Sequence, residues 1–231
     1  MKLLLASASP ARRQTLISAG ITPLVAVSDV SEESLLADLK TRVHHPSPAE
    51  QVQLLATAKA RDVAGKFVNQ ADTDNLHDAN IFQNFPDSAN PLIPRVVIGC
   101  DSMFSFAGEV VGKPHTPEVA RNRLQRMRGN VGELYTGHCA IDTLTGAEST
   151  GVSCARIHIS DMSDSEIEAY IASGEPLGVA GSFTIDGFGG PFVERIAGDH
   201  HGVVGISLPL LRKLLGDFGM SIVDFWDIRQ A

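Results

Sequence analysis

Long apolar runs are missing from this chain. None approaches the ~20 residues that a membrane-spanning helix needs, and the stretch after Lys2 is too short for the apolar part of a signal peptide. The expectation is a cytoplasmic protein that does not enter a membrane. Positive charge is also scarce: 19 Lys and Arg stand against 27 Asp and Glu, for a formal net charge of −8. Binding a nucleic-acid polymer calls for a basic face, so that class is excluded. A small anionic ligand is not, because a few local cations can hold phosphate inside an acidic protein. Cys100, Cys139 and Cys154 are odd in number and lack CxxC spacing. They read as reduced thiols, not as a disulfide frame. The pairs His44-His45 and His200-His201 lack HxxxH or HExxH spacing, and no zinc site is read from them.

What is present is enough apolar residue, 43% of 231 residues, for a sizeable core. Lys2–Ala6 suits a buried strand, and Pro10–Ala19 a helix that stops at Gly20. Thr22–Val27 reads as a second strand. Ser47-Pro-Ala-Glu50 is a capping box, opening a helix to about Ala64. Arg95–Gly99 reads as a strand, followed by a hairpin of Met103–Phe106 and Glu109–Val111 around Ala107-Gly108. A helix opens at Thr116-Pro117 and ends at Gly129. Glu133–Asp142 and Glu148–Ile159 pair as long strands, and Ser163 caps a helix that stops at Gly174. Ser207–Leu215 is a last helix and Ser221–Phe225 a last strand. Helices alternate with strands while hairpins intervene, so the fold class is α/β with a mixed sheet. Residues 69–94 hold four Asp, five Asn and three Pro without Lys or Arg. They read as a polar, flexible insertion at the surface.

Four stretches can carry chemistry. In "LLLASASPARRQTL", residues 3–16, Ser9 caps a helix that has Pro10 in its first turn. The free N–H groups there favour an anion. Ser7, Arg12 and Arg13 add donors and charge, and arginines in a first turn oppose the helix dipole unless an anion sits beside them. In "VVIGCDSM", residues 96–103, Asp101 follows a β-branched run, near the carboxyl end of the strand where ligands bind in open α/β sheets. "GEVVGKPHTP", residues 108–117, fails as a P-loop but keeps Lys113 beside a rigid proline. Residues 174–205 hold nine glycines, with Pro176, Phe183, Phe188 and Phe192 as an apolar wall for a flat base. Lys59 lies on the stripe Val52, Leu55, Lys59, Val63, where a lysine either snorkels or points into a cleft. Glu32 is read as part of an acidic loop after the second strand. These pieces suggest a polyphosphate substrate with Mg²⁺, which takes one or two carboxylates plus phosphate oxygens.

The chain also resembles a family. "LASASPARR", "GCDS", "GKPHTPEVA", "YTG", "YIASGEPLG" and "AGSFTIDGFGGPFVERIAGD" stand in the order found in Maf-like nucleotide pyrophosphatases. The resemblance covers the chain except Asn69–Pro94. It implies one elongated domain over 1–231, with a mixed twisted sheet, flanking helices and a cleft between two lobes. It implies hydrolysis of a nucleoside triphosphate, canonical or modified, to the monophosphate and pyrophosphate, with a divalent cation, Mg²⁺ or Mn²⁺, and a homodimer. Carried over by motif, Asp101 is the general base or metal-linked carboxylate, and Glu32 its acidic companion at the metal. Lys59 and Lys113 join Asp101 as catalytic groups. Ser7, Ser9, Arg12, Arg13 and Asp186 fall at the substrate. The family often reads "GKAGxYxIQG" where this chain has Val179, Phe183 and Asp186. Asp only accepts hydrogen bonds where Gln also donates, so the base preference of relatives does not transfer. The other reading is a nucleotide-binding regulatory module in division control, with little or no hydrolysis.

Overall fold

Three consecutive leucines cannot all face one side of a strand, and β1 (Leu3–Leu5) uses both sides. Leu3 and Leu5 enter one core cluster with Leu16, Ile98, Ile206, Leu211 and Leu215, while Leu4 enters another with Ala60, Val63, Val97 and Ile141. The computed structural model describes residues 1–71 and 94–227, with side chains of 67–71 excepted. The polar segment 69–94 therefore lies, apart from its ends, outside the described residues.

After β1 come α1 (Pro10–Ser18), β2 (Leu24–Val25), α2 (Glu32–Arg42) and α3 (Pro48–Ala71). Next are β3 (Val96–Phe106), β4 (Glu109–Val111), α4 (Pro117–Met127), β5 (Val131–Asp142), β6 (Glu148–Ile159) and α5 (Asp164–Ala172). Three 3-10 turns lead to β7 (Val193–Ala197), α6 (His200–Val204), α7 (Leu208–Asp217) and a final turn, Ile222–Phe225. The described strands form one mixed sheet, β2-β1-β3-β5-β6-β7, with β4 paired to β3. β1 runs parallel to β2 and β3, and the other pairings are antiparallel. Helices flank this sheet, as the α/β class requires.

Four expectations need correction. β3 is one strand through Phe106, not a strand ending at Gly99. The helix opened by the Ser47 box runs on to Ala71, past Ala64. Glu32 does not sit in a loop but opens α2, capped by Ser31. Ser221–Phe225 is a 3-10 turn with a Ser221–Asp224 capping box, whose local side-chain bonds outcompete strand pairing.

β3 passes through three apolar regions, Val97 lying with Leu4 in the one against α3. Val96, Ile98 and Cys100 belong to the cluster under α1 and α7. Phe104 belongs to a separate one with Leu124, Ile157, Ile167 and Phe183. Asp101 and Ser102 fall between them, so the sheet carries its polar groups where one core stops and the next begins. Helix α3 lies directly on this stretch. A Cβ at Gly99 would overlap the Ala56 carbonyl, and one at Gly137 the Val52 carbonyl. Gly137 is the direct cross-strand partner of Asp101.

Candidate active site

The register explains why Asp101 is reachable. β1 pairs with β3 only as far as Leu5 opposite Ile98. Between that point and the pairing of Phe104 with Val111 of β4, one edge of β3 is uncovered, and α1 begins beside it. The strand that ends at the cleft is thus β1, whereas Asp101 itself lies inside β3. This corrects the expectation that Asp101 follows its own strand.

Gly99 and Asp101 share the face toward α3, because side chains alternate along a strand. Lys59 of α3 reaches down to that face. Its Nζ lies 2.6 Å from Asp101 Oδ1 and 2.6 Å from Glu32 Oε1. Lys59 does not snorkel: it is 9% exposed, beside the buried Val52, Leu55 and Val63. Glu32 comes into reach because the preceding loop is tied to α3, with the Asp29 N–H donating to Asp62 (2.9 Å) and Lys66 pairing with Asp29 and Asp62. Burial pushes the Asp101 carboxyl above its ordinary range, against the opposing pull of Lys59 and Arg12.

Ser102 points to the opposite face. Its Oγ meets Thr136 Oγ1 (2.9 Å) and accepts from Arg12 (3.1 Å). Arg12 also donates to Ser7 Oγ (3.1 Å) and to the Gly205 carbonyl (2.8 Å). Thr136 donates to the Gly202 carbonyl (2.7 Å). Arg12 is thereby locked between α1, β3 and the end of α6. Beneath it, buried His138 holds Thr136 and Ser207 together. Nδ1 lies 3.0 Å from the Thr136 carbonyl, and the Ser207 N–H donates to Nε2 (2.8 Å). Burial pushes this imidazole down to about 4.

A cleft of about 580 Å³ opens beside this network, lined by Ser7, Ser9, Arg13, Gln14, Val25 and Asp186 among others. Ser9 caps α1 through the Arg12 N–H (3.4 Å). Pro10 has no N–H and the Arg13 N–H bonds the Ser9 carbonyl. The Ala11 N–H is therefore the one first-turn donor left to a ligand, fewer than the capped-helix pattern suggests.

Other expected groups stand elsewhere. Lys113 is exposed, and among the described residues no ion pair joins it to Asp101 or Glu32. The apolar wall does not form: Phe183 packs edge-on against Phe104 in the core, Phe192 leans on Tyr170, and Phe188 is 70% exposed. Asp199, His200 and His201 gather ligand atoms within 4.8 Å of one another, a grouping that sequence spacing does not show. Both Asp199 oxygens already accept N–H groups of α6, from His201 and Gly202. The buried thiols are unreactive, Cys100 being pushed up to about 12 and Cys139 to about 11 by burial. Sequence reading missed Ser102, Thr136 and His138, which are polar residues inside strands otherwise read as apolar.

Comparison with known proteins adds to this geometry. Residues 2–218 match the model of a family described as Maf-like protein. The chain is 48% identical to a nucleoside triphosphate pyrophosphatase of Nocardia farcinica, over 97% of this chain and 96% of the other. It is 45% identical to one of Saccharopolyspora erythraea, over 98% and 97%. A third, from Microcystis aeruginosa, is 42% identical over 97% and 98%.

Proposed function

The chain belongs to the Maf-like protein family, and we propose that it hydrolyses nucleoside triphosphates to the monophosphate and pyrophosphate. One observation carries the reading. A buried ammonium, Lys59, is shared by Asp101 and Glu32, and Arg12, whose charge acts on Asp101, bonds Ser7 on the wall of a cleft that also offers Ser9, Arg13 and the start of α1. That pairing of a base-capable carboxylate with convergent cations suits attack of water on a phosphoanhydride.

In this mechanism Ser7, Ser9, Arg13 and the Ala11 N–H hold phosphate oxygens, and Arg12 keeps Ser7 in place. Asp101, at the oxygen not bound to Lys59, either accepts the proton of the attacking water or holds a divalent cation. Its upward-shifted carboxyl is a better base near neutral pH than an ordinary aspartate. Lys59 neutralises charge that grows on the reacting phosphoryl group, and Lys113 meets the leaving pyrophosphate. Such electrostatic stabilisation is commonly the largest contribution to phosphoryl transfer.

The donor set also fits a divalent cation. Asp101 and Glu32 each place one oxygen on Lys59 and leave the other without a partner among the described residues. Mg²⁺ or Mn²⁺ takes hard oxygen ligands of this kind and fills its remaining positions with phosphate and water. When bound, such an ion polarises phosphoryl oxygens and lowers the pKa of water. The proposal extends to one catalytic domain over 1–231, acting in the cytoplasm as a homodimer on free nucleotides, canonical or modified. No described helix is long and apolar enough to cross a membrane.

The test is a panel of NTPs incubated with the purified protein and Mg²⁺ or Mn²⁺. Equimolar pyrophosphate and monophosphate are expected. Orthophosphate as the first product would overturn the reading, and binding without turnover would replace it with the regulatory module.

A further inference from the structure

Glu175 lies outside the cleft, on the 3-10 turn Glu175–Gly178 after α5. Its carboxylate nevertheless gathers four donors. Oε1 accepts from Thr184 Oγ1 (2.6 Å), Tyr170 OH (2.9 Å) and the Gly189 N–H (2.9 Å). Oε2 accepts from the Phe188 N–H (2.8 Å). Tyr170 OH also accepts from the Thr184 N–H (3.2 Å). Thr184 stands two residues before Asp186, and Phe188 two after. The loop is thus pinned on both sides of Asp186, which is itself exposed, makes no hydrogen bond or ion pair among the described residues, and lines the cleft together with Ser9 and Arg13.

Two glycines record how closely the loop wraps the carboxylate. A Cβ at Gly187 would overlap Glu175 Oε2, and one at Gly189 would overlap Tyr170 OH and the Thr184 carbonyl. Burial acts to raise the Glu175 carboxyl, but the hydrogen bonds outweigh it and hold the group below the usual range. The charge is therefore present at neutral pH. An acceptor-only group is what four converging donors need; an amide would turn an N–H₂ toward one of them.

We propose that Glu175 is a positioning residue for substrate selection: it sets Asp186 in the cleft, where Asp186 accepts hydrogen bonds from the nucleotide. This inference rests on the nucleotide reading of the cleft. Glu175 touches no substrate. Its effect passes entirely through the loop it holds, so the two residues form one energetic unit.

The experiment compares wild type, Glu175→Gln, Asp186→Ala and the double variant on ATP, GTP, CTP and UTP with Mg²⁺. Pyrophosphate release gives kcat and KM, and thermal melting confirms that each variant is folded. Glu175→Gln should raise KM for the best nucleotide about tenfold with kcat within about twofold. It should shrink the kcat/KM ratio of best to worst nucleotide to that of Asp186→Ala. The double variant should be no worse than Asp186→Ala alone. A merely structural role would lower activity on all four alike. An unchanged ratio in Glu175→Gln, additive losses in the double variant, or a wild type that treats all four alike would overturn the inference. If Glu175→Gln does not fold, Thr184→Val, which removes one of the four donors, is read in the same way. A wild type that binds without turnover overturns the hydrolytic reading alone; dissociation constants on the same panel then test Glu175. A wild type that binds none of the four overturns the inference and restricts the hydrolytic reading to modified nucleotides.

Discussion

Asp101, Ser102 and Thr136 ride on β3 and β5, strands paired without interruption from Val96–Asp142 to Ser105–Glu133. Asp186 instead hangs on a loop of 3-10 turns whose shape depends on one carboxylate, Glu175. The first wall is backed by apolar clusters on both faces of the sheet. The second has Phe183 in the core and Phe188 in solvent only five residues later. A backbone ladder resists displacement in all its rungs at once, while a side-chain hub can be re-cut at one atom. Reaction chemistry should therefore sit on the strand-borne wall and discrimination on the loop.

The largest test of that division is Asp101→Asn. Loss of an acid–base group should lower kcat by roughly 10²–10⁴, in steady-state pyrophosphate release, without changing the rank order of nucleotides. Near-normal turnover would place the chemistry elsewhere.

Acid stability comes next. His138 ties the strand wall to Ser207, and the bond that Nε2 accepts from the Ser207 N–H needs the neutral ring. Its folded pKa of about 4 lies below the ordinary histidine value. The unfolded chain therefore binds the extra proton first. Stability is full above about pH 6.5 and is lost as pH falls toward 4, by roughly 3 kcal/mol in all. Denaturant titrations at pH 7 and 5 should show the loss, and His138→Gln should flatten it.

Gly99→Ala should cost about 1–3 kcal/mol by overpacking against Ala56 and Ala60, and reduce turnover by lifting Lys59 from Asp101. Gly189→Ala should cost about as much in a melting experiment, because its Cβ meets Tyr170 OH and the Thr184 backbone, yet alter nucleotide preference more than kcat. Reversal of that pattern would break the contrast between the walls. Phe188→Ser should leave stability within about 0.5 kcal/mol, since the ring is mostly exposed.

How much of this is legible in the sequence depends on where the signals are local. Ser9, Thr116, Ser163 and Ser207 all cap the helices that their spacing announces. The paired strands β5 and β6 follow from their length and turn. α2 is missed because its apolar stripe, Leu35, Leu36 and Leu39, is short and only half-buried. Its signal is electrical: Glu32 and Glu33 in the first turn, Lys40 and Arg42 in the last, as the helix dipole favours. β7 is hidden by the glycine-rich segment that precedes it. β3 is cut short for a more instructive reason. Asp101 and Ser102 break the apolar pattern of a buried strand, and departures from local rules gather at functional places. The partnership of Lys59 with Asp101 and Glu32 spans separate elements, so motif order points to the residues while only the fold shows the bridge. The role of Glu175 is likewise invisible until the loop closes around it.

Gly99 and Gly137 bear on how such a site could be moved. Helix α3 rests on the sheet at the height these two residues permit, and that height sets whether Lys59 meets Asp101. A transplant of Lys59, Asp101 and Glu32 onto another sheet would carry every charge and still misplace the ammonium. The smallest portable form of this centre is five residues, two of which contribute only the absence of a side chain.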